Sequence, residues 1–411
     1  MIKVLSASWA LMLGMGLLMI GNGLQGTLLG VRGGLEHFST FEMSLVMSAY
    51  FVGFLGGSSM APKMIRRVGH VRVFSALASF ISAVLVLYAT WANPWVWIVL
   101  RVLIGFCFSG VYVTAESWLN NTATNETRGK TLSLYMIVQM LGIVVAQGLL
   151  LVADPAGFML FIIPSVLVSI AVAPILLSAQ PTPAFENTTP LSLRALYDLS
   201  PLGVVGMFLL GAVFSAQFGM SAVYGGEAGL SLGKISLFVS AFYIGATVLQ
   251  YPLGWISDRM DRRVLIIATA ALGGVGAIAG VLFGGGFSAL LVAAFLIGGT
   301  SNPLYSLLIA YTNDFVERED MAAVSGGLVF VNGLGAVSGP VITGWAMDAF
   351  GPPGYFVFLA VLLLAMASYA AYRMTQRAAP AREESASVTP MTMAGSQVAV
   401  ELSMDELEPE T

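Results

Sequence analysis

Arg66-Arg67-Val68-Gly69-His70-Val71-Arg72-Val73 and Asp258-Arg259-Met260-Asp261-Arg262-Arg263-Val264-Leu265 are two charged stretches set about 190 residues apart, and each leads directly into a long apolar run. Such stretches are scarce in this chain. Charged residues make up 10% of the 411 and hydrophobic ones 57%, where a soluble domain carries about 25% charged residues. No soluble fold could hide that much apolar surface. In each half two apolar runs precede the charged stretch and four come after it. Every run is about 20 residues long, enough for a helix to cross a hydrocarbon core of roughly 30 Å. The runs fall near residues 8–30, 43–62, 72–92, 95–118, 131–153, 157–178, 201–223, 233–256, 264–285, 288–312, 324–348 and 354–374. The expected fold is an all-α membrane protein with twelve transmembrane helices in two pseudo-symmetric six-helix halves.

Charge placement sets the expected orientation. Fifteen of the 18 Lys and Arg fall on one side under this count, Arg32 and Lys234 on the other, and Arg101 inside a span. Cytoplasmic loops carry the excess of Lys and Arg, so both termini are expected in the cytoplasm. Dropping any one span would scramble the loops after it, so the asymmetry also tests the helix count. The first span, after Lys3, is too long for a signal peptide and lacks a small-residue cleavage site, which makes it a retained helix.

The chain reads as four segments. Residues 1–178 form an N-terminal six-helix half and 201–375 a C-terminal one. Between them, 179–200 is a cytoplasmic central loop rich in Pro, Thr and Ser that ends in a short amphipathic piece, Ser192-Leu193-Arg194-Ala195-Leu196-Tyr197. Residues 376–411 read as a disordered acidic cytoplasmic tail, with low hydrophobicity and seven acids against Arg377 and Arg382. The loops opposite are very short, for example Ala92-Asn93-Pro94, so function is expected within the membrane.

Composition excludes several function classes. The net charge of −4 comes from the tail, and nothing suggests a nucleic-acid partner. The one cysteine, Cys107, rules out a disulfide framework. His37 and His70 both read as loop residues, so no metal cluster or intramembrane histidine relay is expected. There is no nucleotide-binding P-loop and no catalytic dyad, so neither a cofactor nor an enzymatic activity is expected.

Gly254-Trp-Ile-Ser-Asp258-Arg259-Met-Asp261-Arg262-Arg263 resembles the loop motif of the major facilitator superfamily, G-x-x-x-D-R-x-G-R-R, departing only at Asp261. A carboxylate at a helix end beside arginines can tie neighbouring helices by charge-assisted hydrogen bonds and must release when they separate. The first-half copy is degenerate, with Pro62 in place of the first glycine and Arg66 in place of the aspartate. Gly335-Ala-Val-Ser-Gly339-Pro340-Val-Ile-Thr-Gly344 resembles the superfamily's G-x-x-x-G-P-x-x-x-G pattern. Glycines four apart admit close helix approach, and Pro340 can bend the helix. Gly142 of the fifth span matches Gly335.

Arg101 is the single cation well inside a span, where it costs at least about 2.5 kcal/mol unless it meets a polar cavity or a partner. Arg101-Val-Leu-Ile-Gly105 is similar to the superfamily's fourth-helix R-x-x-x-G motif, which implies proton coupling or substrate contact. At helical spacing Arg101, Gly105, Tyr112 and Glu116 form one stripe. The alternatives are a structural arginine snorkelling outward beside Trp95 and Trp97, and a loop ion pair of Glu116 with Arg128 or Lys130. Glu116-Ser117-Trp118-Leu119, Arg128-Gly129-Lys130, Tyr135-Met136 and Leu304-Tyr305 resemble the bacterial YcaD-like branch of the superfamily.

In the superfamily, helices one, four, seven and ten line the cavity. That adds Asn22 and Gln25 on helix one, Gln217 on helix seven, and Asn302 and Tyr305 on helix ten as candidate substrate or coupling residues. Gln139, Gln147 and Gln250 read as interhelical ties. The resemblance implies a secondary transporter that moves a small organic solute by alternating access, coupled to protons. It would act as a monomer in the lipid bilayer of a bacterial inner membrane, by efflux or uptake. A non-transporting sensor or scaffold that docks partners through the acidic tail is the other reading.

Overall fold

The structure is a computed structural model and describes residues 2–122, 128–177, 192–257, 259–316 and 320–376. The acidic tail and most of the central loop lie outside the described residues, as does Asp258. Among the described residues there is no strand, and twelve helices are long and apolar enough to cross a membrane, from Trp9–Leu35 to Gly354–Gln376.

The first six spans are carried by α1 (Ile2–Leu35), α2 (Thr40–Val68), α3 (His70–Thr90), α4 (Pro94–Thr122), α5 (Arg128–Leu149) and α6 (Met159–Leu177). A short α7 (Leu193–Leu199) forms where the amphipathic piece was expected, with the Ser192 side chain capping its N-terminus. The seventh span is composite: α8 (Pro201–Ser215), a π-helical turn over Ala216–Met220, and α9 (Ser221–Glu227). Then come α10 (Leu232–Ser257), α11 (Arg262–Phe283), α12 (Phe287–Asn313), α13 (Met321–Phe350) and α14 (Gly354–Gln376).

Local chemistry sets the helix ends. Ser39 and Glu42 make a reciprocal capping box at the start of α2. Asn93 accepts from the amides of Trp95 and Val96 at the start of α4. The charged stretch at 66–73 is not a loop, as the sequence suggests. Arg66 and Arg67 occupy the last turn of α2, where cations favour the carbonyl end of the helix dipole. Gly69 alone breaks the helix, at φ 85°, a backbone region that glycine enters without a Cβ clash. His70 therefore opens α3 and is buried, with Nε2 2.9 Å from Ser117 Oγ on α4. The loop placement of His70 is overturned: one residue suffices to turn the chain, so the next falls inside the bundle.

The chain divides into two compact units, Met1–Asn187 with Phe218–Ser240, and Thr188–Gln217 with Ala241–Thr411. The division differs from the six-and-six reading: it cuts the seventh span within the π-turn and the eighth at Ser240. In the first unit α1 packs on α5, α6 and α9, α2 on α4, and α3 on α4 and α6. In the second, α8 packs on α12, α13 and α14, and α11 on α12 and α14. Close approach rests on glycine. A Cβ on Gly53 would overlap the Val102 carbonyl, and one on Gly105 the Tyr50 carbonyl, so α2 and α4 touch backbone to backbone. Large apolar side chains such as Leu141, Ile170, Val275 and Val361 stay exposed on the helices, as lipid contact requires.

Candidate functional site

Close packing of α2 on α4 fixes where Arg101 goes. Its side chain is 0% exposed, so it does not snorkel past Trp95. Nη1 donates to Gln25 Oε1 at 3.1 Å, Nε to the Val46 carbonyl at 3.4 Å and Nη2 to Met47 Sδ at 3.3 Å. The guanidinium also lies 4.8 Å from the centre of the Tyr50 ring, a cation–π contact.

An arginine only donates, and that fixes the direction of every hydrogen bond leading away from it. Gln25 must turn Oε1 to Arg101, so its Nε2 points on to Asn22 Oδ1 at 3.4 Å. Asn22 is thereby oriented to donate from Nδ2 to the Tyr112 hydroxyl at 3.4 Å, and Tyr112 donates to Met19 Sδ at 3.1 Å. Asn22, Gln25, Arg101 and Tyr112, each named from the sequence alone, thus form one buried string along the α1–α4 contact. Arg101 and Tyr112 are eleven residues apart on α4, about 16 Å of helix.

Glu116 lies one turn beyond Tyr112, is 0% exposed, and accepts from the Tyr135 hydroxyl of α5 at 3.2 Å. The Arg128 side chain lies outside the described residues. Gly105 of the stripe faces the α2 backbone rather than a polar group.

The string has a border of rings. Tyr50 lies 6.1 Å from Phe54 and 5.5 Å from Phe218, and Phe54 lies 6.0 Å from Tyr112. Sequence reasoning missed Met19, Val46, Met47, Tyr50, Phe54 and Phe218. An apolar side chain or a backbone carbonyl in a membrane span carries no signal that separates it from ordinary packing. Tyr135 did have one, the Tyr135-Met136 pair.

The second unit holds the other candidates. Gln217 and Ser301 exchange hydrogen bonds at 3.1 and 3.2 Å. Asn302 donates to Gln250 Oε1 at 3.0 Å, and Gln250 donates to Ser306 at 3.2 Å. Gln250, read as a simple tie, is thus part of the Asn302 cluster. In the first unit the Gln147 side chain ties α5 to α1 by donating to the Gly23 carbonyl at 3.4 Å, and the Gln147 backbone carbonyl accepts from Ser236. Tyr305 is buried on α12.

In the loop motif, Asp258 lies outside the described residues. Arg259 folds back over the end of α10, stacking 3.9 Å above the Trp255 ring. Arg262 is buried and bonds the Asp314 carboxylate at the end of α12, a residue that sequence reasoning did not single out. Burial pushes the Asp314 carboxyl above the usual range, and the Arg262 guanidinium counters that only in part. Asp261, where the motif has glycine, caps α11 through the Arg263 amide and pairs with Arg263 at 2.7 Å. Gly254 borders open space. On α13 a Cβ at Gly335 would overlap the Phe208 carbonyl and one at Gly339 would overlap Ser215 and Ala212 of α8, while Pro340 and Gly344 lie further along the same helix.

Residues 11–235 and 202–400 match the profile of the Major Facilitator Superfamily. Curated relatives include the uncharacterized MFS-type transporter YcaD of Escherichia coli O139:H28 (strain E24377A / ETEC) and that of Shigella sonnei (strain Ss046). Each is 27% identical over 330 residues, which cover 79% of this chain and 85% of the relative. Among solved structures, the nucleoside transporter NupG as its D323A mutant superposes with a TM-score of 0.77 at 14% identity, covering 90% of this chain and 100% of that one. The NupG structure without that substitution gives 0.66 at 14% identity, covering 90% and 97%. At that identity the likeness extends to the fold. The chain therefore belongs to the Major Facilitator Superfamily, as a multi-pass, non-enzymatic membrane transport protein.

Proposed function

We propose that this protein moves a small organic solute across a bacterial inner membrane by alternating access, as a monomer driven by the proton gradient. The observation that carries this reading is the buried string Arg101–Gln25–Asn22–Tyr112 with the Glu116 carboxylate one turn beyond it. Polar groups in a membrane interior are costly and mark solute or ion paths. In this reading Arg101 and its amide partners meet the solute. Glu116, a buried carboxylate that accepts from the Tyr135 hydroxyl, is the group that takes and gives a proton. Gln217, Asn302 and Tyr305 are further candidate solute contacts. The Gly254–Arg263 motif would gate the cycle, and Gly335, Gly339, Pro340 and Gly344 would hold the helices close enough to slide.

The test uses everted vesicles carrying the protein, energised to an acidic interior and offered fractionated cell metabolites, with proton release followed by a pH-sensitive dye. Fractions that release protons from wild-type vesicles, and do so at least about tenfold less in Glu116→Gln vesicles at equal expression, support proton coupling. Solute uptake that ignores both the gradient and Glu116→Gln would remove it.

A further inference from the structure

Three arginines are buried among the described residues, and they are not treated alike. Arg262 pairs with Asp314 and Arg263 with Asp261. Arg101, the most deeply buried of the three, has no carboxylate among the described residues. Its five N–H groups meet three acceptors: an amide oxygen, a backbone carbonyl and a thioether sulfur. Sulfur is a weak acceptor, and two N–H groups are left over. A buried cation in a membrane span is costly unless an anion reaches it. Among the described residues, the other two buried arginines have a carboxylate partner and Arg101 has none.

We infer that the missing counter-charge is brought by the cargo: an organic oxyanion that docks on the outer fork of the Arg101 guanidinium. The inference rests on the transport reading above and names its substrate class. Nη1 and Nη2 each keep a spare N–H, so both can bond one carboxylate, sulfonate or phosphate head side by side. Met47 gives way first, because a thioether on an unbranched, flexible side chain is the weakest of the three partners. The rings beside the fork set the rest of the ligand. Tyr50 covers one face of the guanidinium, and the Tyr50 ring continues into half-buried Phe54 and Phe218. An apolar, planar body attached to the anionic head fits that border, whereas a bare inorganic anion would leave it unused.

The test compares matched pairs on the purified full-length protein: phenylacetate, phenylmethanesulfonate and phenyl phosphate against phenylacetamide and benzylamine, with acetate and inorganic phosphate as heads without a body. Two readouts are taken, ligand-induced shift in thermal unfolding and counterflow in proteoliposomes. The expected result is that at least one ring-bearing anion binds about tenfold or more tighter than phenylacetamide, and that Arg101→Lys weakens this preference while Arg101→Gln abolishes it. The head that binds best tells carboxylate from sulfonate or phosphate. If Arg101→Gln does not fold, the anion–amide comparison on the wild type still decides. Preference for the amide or the amine overturns the anion assignment. Counterflow of uncharged solutes that survives Arg101→Gln does the same while leaving transport intact. Anion binding without counterflow of any compound keeps the Arg101 site and removes the transport reading. Absence of both binding and counterflow overturns both.

Discussion

The α2–α4 pair of the first unit and the pair formed in the second by α12 and the part of α10 from Ala241 onward repeat one another in backbone and not in chemistry. Gly53 faces the Val102 carbonyl and Gly245 the Phe295 carbonyl; Gly105 faces the Tyr50 carbonyl and Gly298 the Phe242 carbonyl. Each first-half residue lies about 190 positions before its counterpart. The same interval sets Gly142, which approaches the Gly16 carbonyl, against Gly335, which approaches that of Phe208. The polar residues break the pattern. Gln25 and Gln217 correspond, but Gln25 serves Arg101 whereas Gln217 serves Ser301, and Ala294 stands where Arg101 would be. The tie between the third and fourth spans of each half diverges too: His70 to Ser117 in the first, Arg262 to Asp314 in the second. Contacts between backbones admit no side chain, and both halves have them. Side chains facing one another differ between the halves, and that is where their chemistry departs.

If the charge at Arg101 is the functional difference, removing it must matter far more than adding polarity opposite. Arg101→Ala is expected to lower the initial transport rate about a hundredfold, the equivalent of about 2.7 kcal/mol, with Gln25→Ala intermediate and Ala294→Ser within about twofold. Rates in proteoliposomes at matched protein content check this. An Arg101→Ala protein that transports normally would take the site away from the first unit.

The shared scaffold predicts a paired result. Gly105→Ala and Gly298→Ala each push a Cβ into a carbonyl of the partner helix, so each should lose about 1–3 kcal/mol of stability. Thermal unfolding in detergent reads this directly. Unequal losses, with one variant unaffected, would show that the two pairs are only superficially alike.

The Arg262–Asp314 tie tests whether the charged version is a gain in stability. Burial raises the Asp314 carboxyl, so the folded protein holds that proton to higher pH than the unfolded chain does. The stability this group contributes is complete below the ordinary carboxylate range and falls as pH rises through the raised value. Asp314→Asn leaves the buried Arg262 guanidinium without its counter-charge and should cost about 3–5 kcal/mol at pH 7. The wild type should gain on the variant as pH is lowered. A loss below about 1 kcal/mol at pH 7 would mean the cost of burial cancels the attraction of the pair, and a gap that narrows on acidification would mean the Asp314 carboxyl is not raised.

The twelve spans were legible because hydropathy reports directly what lipid demands of a helix. Asn22, Gln25, Arg101 and Tyr112 were legible because polar residues stand out in apolar runs. Their partners Val46, Met47 and Tyr50 were not, since they act through a carbonyl, a sulfur and a ring face that any packed helix also offers. His70 was misplaced because a single glycine at positive φ replaces a loop that charge density alone suggests. The π-turn at Ala216–Met220 has no counterpart in the sequence pattern, because a one-residue excess of backbone leaves the hydrophobic run unbroken.

Motif glycines give the smallest and most discriminating prediction. Gly254 opens the loop motif as Gly335 and Gly339 open the α13 pattern, yet a Cβ at Gly254 would meet nothing within 4 Å, while at the other two it would overlap α8. If glycine is kept at all three for packing in this conformation, alanine should be equally costly. The structure says otherwise: Gly254→Ala should change stability by no more than about 0.5 kcal/mol, against about 1–3 kcal/mol for Gly335→Ala and Gly339→Ala. Transport then separates the roles. A stable Gly254→Ala protein that transports more slowly needs the space at Gly254 in another conformation of the cycle, where a helix closes on it. A stable variant with normal transport reduces the motif to its charged residues, the part already tied to α12 through Asp314.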